Sequence, residues 1–361
     1  MQPVRRATIS DVAAASGVGV GTVSRVINGA ANVREATRQR VLRVIDQLGY
    51  RPSHLAAALS RGTSRTVAIV VPHLTRPSTV QRLAGALTVL SEHGYDAVVC
   101  HVDSPPRRDH FLAILTDRQR CDGVIVMSLP MAARQLAGFR QAGVPVVCVD
   151  VSAPGVPQVV TDDVAGGALA TAHLLALGHR RIGFVGDSAA RGEPGFGFGS
   201  SRRRMRGYRR ELAAAGADCD PELVRLGPYG PAEAAGLAGR LLALPEPPTA
   251  IFAASDTQAI GVLSAAEQAG FAVPAALSVI GFDDIEAASL LGLSTVHQPL
   301  QLSGSQGAQR LCALLRGEQV KPRRQVLALR VVQRASTARL GTRPHRQPAR
   351  RGRVREPVAS C

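Results

Sequence analysis

The residues best suited to chemistry lie near the amino end of this sequence. Between Gly19 and Gly29 runs Val-Gly-Thr-Val-Ser-Arg-Val-Ile-Asn. Read as a helix, it puts Val20, Gly21, Thr22, Ser24, Arg25 and Asn28 on an outer face and Val23, Val26 and Ile27 inward. A helix that enters the major groove needs its first residues near base edges. It also needs hydroxyls and amides for phosphates and an arginine able to grip guanine. This is recognition chemistry, not turnover. Groups for covalent work do not stand out elsewhere: there is no Gly-x-Ser-x-Gly turn and no placed Ser/His/Asp set. The cysteines at 100, 121, 148, 219, 312 and 361 form no Cys-x-x-Cys pair, and Cys100 and Cys148 end apolar runs as small core residues. The nine histidines lack metal-ligand spacing, and His173 and His179 read as structural. Gly195-Phe-Gly-Phe-Gly199 misses the dinucleotide-binding spacing and reads as a mobile loop beside a cleft.

Three short helices are expected to hold the outer face in place. Thr8 caps the first, with Asp11 in its first turn and Ile9, Val12 and Ala13 inward. Gly17-Val-Gly19 turns the chain into the second, Val20–Asn28. The third spans Glu35–Leu48 with Val41, Ile45 and Leu48 inward, and ends before Tyr50-Arg51-Pro52. Two short helices joined by a glycine turn, with a supporting third, make a helix-turn-helix. Charge agrees with a polyanion partner. The net charge is +16, and residues 1–65 hold ten arginines against Asp11, Glu35 and Asp46. Residues 339–361 hold seven more against Glu356. The rest is near neutral and alternates strand-like runs (66–71, 97–100, 123–127, 146–150, 181–186, 250–253, 279–282) with helical stretches (164–177, 204–215, 232–244, 256–269). That rhythm predicts parallel sheets covered by helices, with ligands beyond the carboxyl ends of the strands.

The head resembles the LacI/GalR family of bacterial transcription regulators. The resemblance is carried by Thr8-Ile-Ser-Asp-Val-Ala13, Gly17-Val18, Thr22-Val-Ser-Arg-Val-Ile-Asn28, Thr37-Arg38 and Leu48-Gly-Tyr-Arg-Pro52. It continues through Cys121-Asp-Gly-Val-Ile-Val126, Thr161-Asp-Asp163, His173–Phe184, Arg204–Tyr208, Ala254-Ser-Asp-Thr257 and Ser278–Asp284. The resemblance implies an all-α helix-turn-helix DNA-binding head (1–51) and a hinge helix with linker (52–64). It further implies an α/β periplasmic-binding-protein-like effector domain of two Rossmann-like subdomains (65–340). The chain would cross between subdomains near 162, 292 and 325. Residues 341–361 read as a disordered basic tail.

By this similarity Val20, Gly21 and Arg25 face bases, while Thr8, Thr22, Ser24, Asn28, Thr37 and Tyr50 face phosphates. Ala56 and Leu59 of the hinge helix would enter the minor groove, Leu59 as an apolar wedge. Two positions depart from the pattern: Gly19 and Arg34 stand where the family has serines, with Asn32 a substitute cap. Arg204, Ser255, Asp256 and Asp283 match polar pocket positions, and Tyr229 a stacking aromatic; Asp283 can also cap the next helix. The loop Pro72-His-Leu-Thr-Arg-Pro-Ser-Thr79 replaces the family's aromatic one, so His73, Arg76 and Ser78 suit a more anionic ligand. The implied partners are double-stranded, near-palindromic operator DNA, a sugar-like small effector and a second copy of the chain, as a homodimer or a tetramer. No cofactor, metal or membrane partner is implied. The reading is a ligand-responsive repressor in the cytoplasm. A solute-binding or sugar-processing protein of the same body fold is the alternative.

Overall fold

The structure is a computed structural model that describes residues 7–27, 29–50, 63–188, 199–217 and 219–341. The expected hinge helix with Ala56 and Leu59, the tail, Asn28 and most of the Gly195–Gly199 run lie outside the described residues. The chain divides into two compact units. One holds the described residues through Arg65 with Asp117–Asp122, and the other holds Thr66–Thr116 and the rest from Gly123.

In the first unit, α1 (Ile9–Ser16), α2 (Val20–Ile27) and α3 (Glu35–Leu48) form the head. The Thr8 hydroxyl accepts from the Asp11 amide, and Asp11 accepts from the Thr8 amide at 2.8 Å, a reciprocal cap. Gly17 and Gly49 end α1 and α3 at φ of 63° and 58°, a region where a side chain would be strained. Val12, Ala13, Val23, Val26 and Val41 form the small core, with Ile9, Ile27, Ile45 and Tyr50 against it. Leu48 is a correction: it is 41% exposed. At 14 residues α3 outreaches the eight-residue α1 and α2, so its last turn overhangs the core, and Tyr50 packs there instead. Asn32 is a second correction. The residue before α3 is Arg34, with no side-chain cap. Asn32 sits too far upstream of the first turn, and Glu35 supplies favourable negative charge there instead.

The second unit contains twelve described strands: β1 (Thr66–Pro72), β2 (Asp96–Val102), β3 (Gly123–Met127), β4 (Val146–Val149), β5 (Gln158–Thr161), β6 (Ile182–Asp187), β7 (Val224–Gly227), β8 (Ala250–Ala253), β9 (Ser278–Asp283), β10 (Ser294–His297), β11 (Arg324–Leu327) and β12 (Arg330–Val332). They form two six-stranded sheets, ordered β11-β5-β4-β3-β1-β2 and β12-β10-β9-β8-β6-β7. The first is parallel throughout, and in the second only β12 runs antiparallel, against β10. Central strands such as β1, β3 and β8 are buried along nearly their whole length, as a sheet covered on both faces requires. The first sheet packs Val67, Ile69 and Val71 on Leu83, Leu90 and Leu311. The second packs Ile251 and Val279 on Leu237 and Val262 on one face, and Phe184, Phe252 and Phe282 on Leu174 and Tyr208 on the other. Cys100 and Cys148 are buried, and burial pushes the Cys148 thiol up to about 12. The crossings fall between β5 and the Asp163–Ala176 helix, between β10 and the Leu300–Leu315 helix, and between β11 and β12. The second comes later than the expected 292, because Ser294–His297 first adds a strand to the second sheet.

Helices pack here through glycine. A Cβ on Gly207 would run into the Val164 carbonyl and the Ala168 amide, and one on Gly167 into the Arg204 carbonyl. The Asp163–Ala176 and Gly199–Ala214 helices thus touch backbone to backbone. Gly207→Ala is therefore expected to lower the unfolding free energy by about 3 kcal/mol. Gly236→Ala, at an exposed helical glycine with nothing near its Cβ, should raise it by about 0.5 kcal/mol. Urea denaturation of both variants checks the pair. A Gly207→Ala midpoint equal to wild type would mean the helices are not in backbone contact.

Candidate nucleic-acid interface and ligand cavity

Along α2 the buried edge fixes the outer one. Val23 and Val26 are buried, at 0% and 4% exposure, and this turns Val20, Gly21 and Arg25 outward. Arg25 Nε donates to the Gly21 carbonyl at 3.2 Å, which lays the guanidinium along the exposed surface of the helix. Thr22 and Ser24 are half-buried on the flanks of that surface, as are Thr37 and Tyr50 elsewhere on the head; Thr8 is exposed. The Gly19 carbonyl accepts from the Thr22 and Val23 amides, so α2 starts without a side-chain cap at that residue. The resulting surface offers an arginine fork, small side chains at the helix start and hydroxyls at its margins. In general, arginine forks pair with base edges, and hydroxyls pair with phosphates.

In the second unit a cavity forms where strand ends from both sheets meet. The segment after β1 supplies Arg76, Ser78 and Arg82, the end of β4 Asp150, and the end of β6 Asp187. The Gly199–Ala214 helix supplies Ser200, Ser201 and Arg204, and the stretch before the Pro231–Leu242 helix supplies Tyr229. Ala254 and Ser255 from beyond β8, Asp283 at the end of β9 and Gln298 from beyond β10 complete the wall. Asp150 and Asp283 both sit in the left-handed region, at φ of 62° and 118°. That is costly for a non-glycine residue.

Charge pairs fill the cavity. Arg82 meets Asp150 at 2.9 Å and donates to the Gln298 side-chain oxygen at 3.0 Å. Arg204 donates to Asp163 at 2.9 Å, to the Ala254 carbonyl at 2.6 Å and to Asp283 at 3.3 Å, and lies 3.6 Å over the Phe282 ring. Arg76 reaches Asp187 at 3.6 Å and lies 3.5 Å over the Tyr229 ring. The space left is about 20 Å³, room for about one water. Burial raises the Asp163 carboxyl, but Arg204 and Arg203 more than offset it and hold it below the usual range. Burial raises Asp283, which Arg204 and Arg82 only partly oppose. The Arg76 guanidinium is drawn down by burial against the pull of Asp187.

Of the expected pocket residues, the structure brings together Arg76, Ser78, Arg204, Tyr229, Ser255 and Asp283. Two do not line the wall. His73 lies outside it, its ring kept neutral because burial and Arg76 push its pKa to about 4. Asp256 is fully buried behind it, accepting from the Thr295 hydroxyl at 2.6 Å and the Ile285 amide at 2.9 Å. The capping expected of Asp283 is not made: the Glu286–Leu290 helix has Ile285 before it and no side-chain cap, and the second Asp256 oxygen accepts from the Ile285 amide. Sequence reading passed over Asp150, Asp187, Arg82, Ser200, Ser201 and Gln298. The two aspartates had a signal, since each closes an apolar strand run (VVCVD, IGFVGD). Arg82 had none, being an arginine on the inward face of a helix. His173 and His179 are structural: His173 Nε2 meets the Thr337 hydroxyl at 3.0 Å, and His179 meets the Thr249 and Ser278 hydroxyls. Among the described residues no group of three or more His, Cys, Asp or Glu is placed to hold a metal, and no helix is long and apolar enough to cross a membrane.

Burial dominates at Asp256 and lifts its pKa to about 8. A carboxyl raised in the folded state keeps its proton while the unfolded chain loses it, so its contribution to stability falls as pH rises from about 4 to about 8. Asp256→Asn is therefore expected to gain on wild type by about 1.4 kcal/mol per pH unit across that window. Unfolding free energies at pH 5, 6 and 7 measure this, and a constant difference would contradict it.

Sequence comparison agrees with this division. The pattern for bacterial regulatory proteins of the lacI family matches residues 8–53, and that of the periplasmic binding protein-like domain matches residues 171–337. The HTH-type transcriptional regulator DegA of Bacillus subtilis is 31% identical over 345 residues, covering 93% of this chain and all of DegA. The HTH-type transcriptional regulator CelR of Thermobifida fusca is 34% identical over 350 residues, covering 93% of this chain and all of CelR. A lac repressor dimer bound to operator and the anti-inducer ONPF is 27% identical, with a TM-score of 0.79 over 92% of this chain and all of that one. With a helix-turn-helix head, a two-sheet body and full-length relatives of the same plan, the chain belongs to the lacI family of bacterial transcriptional regulators.

Proposed function

We propose that the protein is a repressor whose DNA binding is set by a small sugar-like effector in the cavity between the two sheets. The observation that carries this is the opposition on α2: Arg25 stands exposed because Val23 and Val26 of the same short helix are buried. Val20, Gly21 and Arg25 face base edges. Thr8, Thr22, Ser24, Asn28, Thr37 and Tyr50 face phosphates, and Ala56 and Leu59 the minor groove. Val20 and Gly21 bring no side-chain hydrogen bonds, so base reading rests on Arg25 and on methyl contacts. Two copies related by a twofold axis read an inverted repeat, one head per half-site.

Arg204, Asp283, Ser255, Tyr229, Arg76 and Ser78 form the effector site. Arginine and carboxylate side chains bind vicinal hydroxyls in pairs, and an aromatic ring covers a sugar face. CelR has been solved as a complex with cellobiose, a precedent for this kind of ligand. The effector acts by binding one arrangement of the body more tightly than the other, and it shifts DNA affinity by no more than that difference. The protein works in the cytoplasm, beside its DNA, and performs no turnover. Selection of duplexes by the full chain from a random pool tests the reading. The expected product is a family of sequences sharing an inverted repeat. A selected pool no different from the starting one would count against it.

A further inference from the structure

We infer that Arg82 sets the effector's specificity, its Nε–H donating to one hydroxyl of the bound sugar. This rests on the cavity being the effector site, and it names a contact within that site. Arg82 lines the cavity at 3% exposure, and its buried Nε has no acceptor within hydrogen-bond distance. A buried donor without an acceptor is costly, more so on a charged group. The other two nitrogens of the guanidinium are engaged. One meets Asp150 at 2.9 Å and donates to the Gln298 side-chain oxygen at 3.0 Å, and the other lies 3.5 Å from the Ser78 carbonyl. Nε is the nitrogen left over for a ligand.

The donor is fixed before a ligand arrives. Arg82 belongs to the Pro77–Glu92 helix, whose Leu83, Ala86 and Leu90 pack on the first sheet. Asp150 follows β4 of the same sheet, and its other oxygen accepts from the Ser128 hydroxyl at 2.6 Å. With about 20 Å³ free, room for about one water, the two sheets must part to admit a sugar. The Arg82–Asp150 pair lies on one side of that opening and stays together through it, so the contact is preorganised. Arginine offers donors only, and an ionised carboxylate acceptors only. A hydroxyl beside the pair accepts from Nε and donates to Asp150. An ether or carbonyl oxygen meets Arg82 alone, and a methylene meets neither. A site that hydrogen-bonds a ligand hydroxyl rejects the analogue lacking it, because its own buried donor is then left unpaired.

The test uses the full chain. A thermal-shift panel of neutral pentoses, hexoses and disaccharides gives the sugar that binds most tightly, and calorimetry compares it with each of its monodeoxy analogues. In wild type, loss of one hydroxyl is expected to weaken binding by roughly tenfold or more. Arg82→Met puts a methyl group near the place of Nε and removes the donor. In that variant the same analogue and its parent should bind within about threefold of each other, while the losses at the other hydroxyls keep their wild-type ratios. A merely structural role for Arg82 would weaken all of these sugars together and leave every ratio in place. Should Arg82→Met fail to fold, Arg82→Met with Asp150→Asn, which removes the stranded carboxylate charge, carries the same comparison. Ratios equal to wild type at every position, or a wild-type chain for which no hydroxyl is worth more than about threefold, overturn the inference and leave the effector site standing. No binding by any sugar of the panel overturns it together with that site.

Discussion

Arg204→Met is expected to lower the unfolding free energy of the body by about 3–5 kcal/mol, the range for removing one partner of a buried ionic network. In thermal terms that is a drop of roughly 10 °C. The size follows from what the guanidinium leaves behind. Asp283 is 6% exposed and would keep only the Gln298 amide, the Ala254 carbonyl would lose its 2.6 Å donor, and Asp163 would keep only Arg203. Methionine fills the volume over Phe282 and answers none of these acceptors. Lysine should not restore the loss, because a single ammonium does not span the separated sites that the planar fork reaches. The penalty should also depend on pH. Asp163 is held below its ordinary pKa, so its stabilising contribution is complete above about pH 4 and disappears as pH falls through its folded value. Variant and wild type should therefore converge in strong acid. Melting curves at pH 7 and pH 3 check both parts, and a loss of equal size at both would point to packing rather than charge.

Arg25→Ala is expected to remove about 1–3 kcal/mol of base discrimination, roughly 5- to 150-fold in the preference for one base pair of each half-site. Non-specific affinity should change far less, and the dependence of binding on salt should lose at most about one unit of slope per head. Two features make the effect separable from folding. Arg25 is exposed, and its hydrogen bond to Gly21 lies within its own helix. Alanine there keeps α2 and the packing of Val23 and Val26. Titrations against a selected duplex and its single-base variants measure the discrimination directly. An equal loss on every duplex would recast Arg25 as a phosphate ligand.

How much of this was legible before the structure depended on the type of signal. The head was open to reading because each helix is marked twice: by a cap or a glycine stop, and by apolar spacing. Thr8, Gly17 and Gly49 do in the structure what their types suggest. Leu48 misled because spacing gives a direction around the helix axis but not whether a partner lies opposite. In the body the long apolar strands were plain, while β5, β7, β10, β11 and β12 went unread. Each is three or four residues long and mixes polar with apolar side chains, as in Val-Arg-Leu-Gly and Arg-Gln-Val-Leu. Their neighbours make them strands. In the cavity, Arg204, Ser255, Tyr229 and Asp283 were legible through the family resemblance, while Asp150 and Asp187 ended apolar strand runs and still went unread. Arg82 is the clearest case, since only the arrival of Asp150 and Gln298 beside it separates it from a surface arginine. Asp256 begins a helix and Asp283 ends a strand, and only Asp283 lines the cavity.

Regulation by this chain depends on α2 reading bases. The most direct measurement is the ratio of the full chain's affinities for its selected duplex and for a shuffled duplex of the same composition, at one fixed salt concentration. A ratio of at least about 10³ is expected for wild type, falling by roughly tenfold or more with Arg25→Ala. Equal affinity of the wild-type chain for both duplexes would contradict it.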